Sequence, residues 1–396
     1  MIEITNKEDC CGCTACEEGC PLHCITMVPD GEGFLYPRVS ESDCIHCNLC
    51  DSVCPFTNEN APMAPIESFA ARNDDEAIRR ESSSGGAFTA LAERVIRNGG
   101  IVFGVRFNEQ WQTVFDHTDN SEGLKAFIGS KYVQAQVGNT FNEVRNFLKQ
   151  GRQVLFTGTP CQVAGLRHFL KQKDENLLTM DFICHGVPSP KVWERYLAEV
   201  TSNNIGAIND VQFRNKKDGW KHYNFVIDYN HAGEHFHLHS WYEQNPYMRA
   251  FLHDLILRPS CYHCKIKGGR SGSDLTMADF WGIDGVMPLI DDDKGISAII
   301  ANTERGFHLV NNSGVKLWSS RREDILAHNP SLELCAKPHP RRDMFFKLLD
   351  STESIVTLIE DSFRVTIWDK INKAPKYLAA KFFSILKRFS RRHSEV

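Results

Sequence analysis

The stretch Asp9–Ile25, DCCGCTACEEGCPLHCI, carries six cysteines, at positions 10, 11, 13, 16, 20 and 24. A second dense stretch, Asp43–Pro55, reads DCIHCNLCDSVCP and holds Cys44, Cys47, Cys50 and Cys54. Moved back by 34 residues, the second set falls on Cys10, Cys13, Cys16 and Cys20. The flanking aspartates, Asp9 and Asp43, and prolines, Pro21 and Pro55, coincide as well. Cys11 and Cys24 find no counterpart under this shift.

Each copy reads C-x2-C-x2-C-x3-C-P, the run of bacterial two-cluster ferredoxins. Three closely spaced thiolates hold one [4Fe-4S] cubane and the fourth crosses to the other. The spacing therefore predicts one cluster on Cys10, Cys13, Cys16 and Cys54, and a second on Cys44, Cys47, Cys50 and Cys20. Zinc is the competing reading, but it favours two separated C-x2-C pairs. Cys11 and Cys24 read as small buried apolar residues beside the clusters.

The rest of the chain sets the context. Its 396 residues are enough for two or three domains, and 42% apolar with 24% charged residues is ordinary for a globular protein. A net charge of −5 gives no argument for nucleic acid. The start, MIEITNKEDC, lacks the apolar core of a secretory signal. No uninterrupted apolar run approaches the roughly 18 residues of a membrane span. A cytoplasmic, reducing setting is expected, where clustered cysteines serve as metal ligands sooner than as disulfides.

After a linker at Thr57–Ser68 the pattern alternates. Helices are expected at Ala87–Arg97, Phe141–Gly151, from Gln162, and after Pro190. Strands are expected at Ile101–Phe107, Gln153–Gly158, Leu177–Cys184 and Ile296–Glu304. This argues for a mostly parallel α/β sheet, with shorter antiparallel strands between Val211 and His239. The expected divisions are a ferredoxin-like module at 1–60, the two halves of an α/β domain at 66–150 and 151–350, and a helical tail at 351–396. The fold class is α/β, α+β overall.

A third site follows from topology. Cys161 and Cys184 follow successive strands, and loops at the carboxyl ends of parallel strands line a common crevice. With the C-x2-C pair Cys261 and Cys264 they make four thiolates, enough for another [4Fe-4S], with zinc as competitor and Cys335 as packing. Ser83, Ser84, Gly85 and Gly86 stand at a helix N-terminus, where backbone N–H groups suit a phosphate. They read equally as a plain cap. Gly129–Tyr132 adds Lys131 and Tyr132, Gly158–Pro160 is a tight strand-to-helix turn, and Ala278–Ile283 joins an acid to a tryptophan. Clusters pass single electrons, so a two-electron reaction needs a converter such as a flavin.

The stretches SSSGGAFTAL, GSKYVQ, GTPCQVAGLRHFL, DFICHGVPSP, FRNKKDGW and RPSCYHCKIKGGRSGSDLTMADFWG, in this order between Ser68 and Asn302, resemble the family of coenzyme F420 hydrogenase/dehydrogenase beta subunits. The resemblance implies a mixed-sheet FAD-binding α/β domain with a [4Fe-4S] beside the flavin. It supports Cys161, Cys184, Cys261 and Cys264 as ligands of that cluster. It places FAD contacts among Ser83, Ser84, Gly85, Gly86, Lys131, Tyr132, Gly158, Thr159 and Gln162.

The expected activity is that of an iron–sulfur flavoprotein oxidoreductase. It would draw on a soluble carrier, ferredoxin or reduced deazaflavin, and act on an F420-like deazaflavin or a metabolite, surface-polysaccharide biosynthesis being one setting in which such proteins occur. His185 is a candidate proton donor, or a structural histidine in a turn. The alternatives are a non-catalytic electron-transfer subunit of a larger complex, and a zinc-stabilised binding module. An oligomer is compatible with each. In the tail, Lys373–Arg392, apolar residues from Leu378 to Phe389 share one helical face opposite Lys376, Lys381, Lys387, Arg388, Arg391 and Arg392. Such a helix lies on an anionic membrane surface or docks on its own domain.

Overall fold

The computed structural model describes residues 1–172 and 174–364. The strands are β1 (Ile25–Pro29), β2 (Leu35–Val39), β3 (Glu67–Arg72), β4 (Ile101–Phe107), β5 (Thr113–Thr118), β6 (Val154–Thr157) and β7 (Leu177–Phe182). They continue with β8 (Ile208–Asn215), β9 (Asn224–His231), β10 (Glu234–Trp241), β11 (Leu275–Asp279), β12 (Ser297–Ala301) and β13 (Lys316–Ser320). A hairpin of β1 and β2 separates the two cysteine runs.

Eight strands form the main sheet, in the order β13-β3-β12-β11-β7-β6-β4-β5. The expectation of a mostly parallel sheet needs correcting. Only the centre, β4-β6-β7-β11, is parallel, and every pairing outside it is antiparallel. The centre is parallel because the helix Pro160–Leu170 links β6 to β7 as a crossover. On one flank, β4 and β5 form a hairpin. On the other lies β3, whose start falls at the end of the expected linker. Its sequence, ESFAAR, holds one strong strand former among alanines, and it is a strand because β12 and β13 pair with it from both sides.

The antiparallel strands expected between Val211 and His239 are present, as the trio β8, β9 and β10. It closes over helices Pro190–Val200 and Pro246–Leu252 through an aromatic core that includes Trp193, Phe213, Phe225 and Tyr247. Trp193 and Tyr247 sit with ring centroids 5.0 Å apart. The last described helix, Ile355–Phe363, buries Ile355, Leu358 and Ile359 in the same core. The basic amphipathic segment Lys373–Arg392 lies outside the described residues. Among them, no helix is long and apolar enough to cross a membrane.

The cysteine-rich module is clamped to the larger domain. Fully buried Arg258 donates to Cys10 O at 2.7 Å, Leu35 O at 2.8 Å and Gln134 Oε1 at 3.1 Å. Gln134 in turn donates to Cys11 O at 3.1 Å. The carboxylate of Glu18 accepts from the backbone N–H groups of Phe141 and Asn142, capping the helix Thr140–Lys149 from the module side. Arg342 grips Glu32 through both guanidinium nitrogens. Gly165, inside a helix, has a specific reason: a Cβ there would lie 2.9 Å from the Cys13 sulfur. The two units therefore fold as one body around a shared seam.

Candidate functional site

The sequence repeat is also a backbone repeat. Gly12 (φ 72°) and Thr14 (φ 64°) adopt the left-handed conformation, and so do His46 (φ 54°) and Asn48 (φ 59°), their counterparts 34 positions on. A non-glycine residue meets a steric penalty there. Alternating hands in a tight loop turn successive N–H groups inward and make an anion-binding concavity of the kind found at Fe–S sites. Within these loops the cysteines sort across the repeat. Cys54 stands within electrostatic reach of Cys10, Cys13 and Cys16. Cys20 instead lines a cleft with Cys44, Cys47 and Cys50. The backbone N–H of Ile2 donates to Cys50 Sγ at 3.2 Å.

Cys24 is buried beside this group, as expected of it. It lines that second cleft, and its sulfur lies 3.3 Å from that of Cys20. The turn from Cys20 to His23 folds the chain back before β1 begins, which spacing alone does not reveal.

The structure brings the third group of cysteines to one cavity. Cys161 is in the first turn of the helix after β6, Cys184 follows the adjacent parallel strand β7, and Cys261 and Cys264 come from a turn at Pro259–His263. All four line one cavity. A fifth cysteine joins them: Cys11, read from the sequence as a bystander, lines the same cavity and interacts with both Cys13 and Cys161. Phe56 of the module completes that wall. Cys335 lies alongside, its sulfur 3.6 Å from Cys264 O.

Burial pushes the Cys261 thiol up to about 12 and that of Cys264 up to about 11, so both sulfurs favour the neutral thiol unless a positive partner offsets the desolvation. Among the described residues no three His, Cys, Asp or Glu side chains form a group that could hold a metal ion. The sulfurs line a cavity instead. His185 lines this cavity, its Nε2 2.7 Å from Asp254 Oδ1 though poorly aligned for a hydrogen bond. Buried Asp181 lines it too, its pKa raised to about 6 by desolvation.

A cavity of about 1090 Å³ opens between β8 and the Glu76–Ser83 and Lys125–Lys131 segments. Nine Lys and Arg side chains line it, among them Arg79, Arg80, Arg106, Lys125, Lys131 and Lys216, against five carboxylates, with Phe107 and Trp111 as flat surfaces. Of the nine residues expected to meet a flavin, Ser83 and Lys131 line it. Ser84 donates to Ile296 O, the Gly85 N–H donates to Ser297 Oγ, and Gly86 caps the helix Ala87–Arg97. Gly158, Thr159 and Gln162 lie elsewhere. Thr159 and Gln162 form a reciprocal capping box, so their side chains are committed to the helix start.

Tyr132 is neither in the cavity nor idle. It stacks on Phe251 at 4.7 Å and meets Phe213 edge-on at 5.5 Å, while Phe251 meets His185 at 5.3 Å. Phe213 lines the large cavity and His185 the sulfur cavity, so a row of four rings joins the two.

Sequence reasoning singled out the acid of Ala278–Ile283 but not its partners at the cavity rim. Arg214 pairs with Asp279 at 2.6 Å, and the Trp220 indole donates to the same carboxylate at 2.9 Å. The Lys216 ammonium donates to three carbonyls, of Arg79, Ser84 and Lys294, at 2.6 to 2.7 Å. These residues belong to FRNKKDGW and ADFWG, whose acids and bases are 59 to 65 positions apart in the chain and show no pairing in the sequence.

Residues 9–58 match a 4Fe-4S dicluster domain. Residues 68–141 match the N-terminal part, and 151–317 the C-terminal part, of the coenzyme F420 hydrogenase/dehydrogenase beta subunit. One subunit of the F(420)H(2) dehydrogenase of Methanosarcina mazei is 24% identical over 236 residues, 55% of this chain. The match spans 65% of that relative's length. A chain of the F420-reducing [NiFe] hydrogenase complex from Methanosarcina barkeri is 15% identical, with a TM-score of 0.45, over 76% of this chain and 92% of that one.

Proposed function

Because the chain belongs to the family of coenzyme F420 hydrogenase/dehydrogenase beta subunits and carries a 4Fe-4S dicluster domain, we propose that it is an iron–sulfur flavoprotein that exchanges electrons between a one-electron carrier and a two-electron substrate. The observation that carries this reading is the pairing of a five-cysteine cavity with a large basic cavity, joined by a row of rings. Cys10, Cys13, Cys16 and Cys54 would hold one [4Fe-4S], Cys20, Cys44, Cys47 and Cys50 a second, and Cys161, Cys184, Cys261 and Cys264 a third. The basic cavity has the size and charge for FAD, with Ser83 and Lys131 near its phosphates. Bound clusters supply single-electron steps and bound flavin the conversion to hydride equivalents.

The protein's own groups do the rest. Arg258 holds the Cys10 loop against the larger domain, and its guanidinium lies 3.5 Å from Cys10 Sγ. The cationic rim neutralises a dinucleotide's phosphates. His185, held near Asp254 beside the sulfur cavity, can move a proton locally.

Anaerobic purification followed by iron, sulfide and flavin analysis tests the reading. About twelve irons and one FAD per chain are expected. Zinc without flavin would sink it. A second reading, an electron-transfer subunit of a larger complex, is favoured by the relative that bears a subunit's name. Substrate turnover by the isolated chain with dithionite decides between the two.

The cavity also predicts a pH dependence. Burial lowers the Lys131 pKa to about 8, whereas Lys216 already gives its three N–H groups to carbonyls and has none left for a phosphate. Lys131 therefore loses its charge as pH rises from 6 to 9. Since phosphate binding favours the charged form, the Kd of the flavin-free protein for FAD is expected to rise ~10-fold over that range. A Lys131→Met variant should bind more weakly at pH 6 and show a shallower slope. A flat calorimetric profile in the wild type would count against anion binding here.

A further inference from the structure

The second sulfur site is the one that faces solvent. Cys47 is exposed, whereas Cys10, Cys13 and Cys16 are buried. Residues 41–48 stand open apart from Cys44. Ile45 and Leu22, which line the same cleft as Cys47, are 66% and 47% exposed. Large apolar side chains left bare beside a redox site mark a contact face.

Charge indicates what covers it. Between Met1 and Asn60 there are eleven carboxylates against two basic side chains, Lys7 and Arg38, whereas residues 61–364 are close to balance, with 35 Lys and Arg against 37 Asp and Glu. Lys7 is already paired with Asp30 at 2.6 Å. Just before the cleft-lining Cys44 in the chain, Glu41 and Asp43 are exposed, Asp43 accepting from the hydroxyls of Ser40 and Ser42. A concentrated negative field of this kind steers basic partners in and turns acidic ones away.

We propose that the Ile45–Leu22 face docks a one-electron carrier protein that is basic around an apolar centre, and that an acidic ferredoxin is rejected. The assignment rests on the cluster reading of Cys20, Cys44, Cys47 and Cys50. One electron crosses the interface, the carrier losing what the centre gains, with no bond made or broken. The expectation of ferredoxin as the carrier is thereby narrowed: a ferredoxin as acidic as this chain's own module meets like charge.

The test titrates the whole, anaerobically prepared protein by calorimetry with two probes, a basic c-type cytochrome and an acidic two-cluster ferredoxin. Each is measured at ~50 mM and ~500 mM salt, where screening lengths differ about threefold. The cytochrome should bind at low salt and weaken at least ~10-fold at high salt, and the ferredoxin should bind at least ~10-fold more weakly than the cytochrome at low salt. Glu41→Lys with Asp43→Lys should raise the cytochrome Kd at low salt only, and Ile45→Ser should raise it at both. Equal affinity for the two probes, or a charge-reversed variant that binds like wild type, overturns the proposal. Iron analysis of the same sample reads the cofactor assignment separately: charge-selective docking by iron-poor protein would keep this face and sink the clusters.

Discussion

Replacing Arg258 by methionine is expected to destabilise the folded chain by about 3–5 kcal/mol, the range for removing one partner from a buried charged network. Methionine fills much of the same volume but leaves Cys10 O, Leu35 O and Gln134 Oε1 without their buried donor. It also removes the cation stacked over Phe34 and Tyr36, at 5.4 and 4.3 Å from their ring centres. Arg258→Lys should recover little, because an ammonium cannot present the guanidinium's fork to three separate acceptors. Chemical unfolding followed at two wavelengths checks this, one reporting tryptophan and one the sulfur-to-iron absorption. The two transitions should both move to lower denaturant. An unshifted midpoint in Arg258→Met would show that the seam is held by other contacts.

Changing Cys161 or Cys184 to alanine is expected to remove one whole cubane, leaving about eight irons per chain. Low-temperature paramagnetic resonance should lose one reduced-cluster signal, while the two that belong to the ferredoxin loops persist. Cys11→Ala is the control that gives the experiment its edge. Four other cysteines surround the same cavity, so about twelve irons should remain. If Cys11→Ala loses four irons and Cys161→Ala keeps them, the ligand set is Cys11, Cys184, Cys261 and Cys264, and the module itself completes the third centre.

Much of this is legible in the residues alone. The 34-residue offset carries the loop shape with it, down to left-handed residues at matching positions, because a loop wrapped on a cubane has few backbone solutions. Cys161 and Cys184 can be paired because the ends of adjacent parallel strands share an edge. Cys11 cannot be placed, because its neighbours on both sides belong to another site and its partner Cys161 is 150 residues away. Gln162 as a flavin contact overlooks a signature that is present: threonine followed three residues later by glutamine, opening an apolar run, is a capping box. β3 escapes notice because its strand character comes from β12 and β13 and not from its own residues.

The shared wall of the third cavity has a consequence for how the protein is made. Cys11 and Phe56, contributed by the segment synthesised first, close a chamber whose other sides come from residues more than a hundred positions later. On the reading that places a cluster on Cys161, Cys184, Cys261 and Cys264, metal would have to reach that chamber before, or while, the N-terminal segment closes it. A fragment beginning after Asn60 would carry an open half-chamber. Maturation would then be a matter of sequence in time, with loading first and closure second.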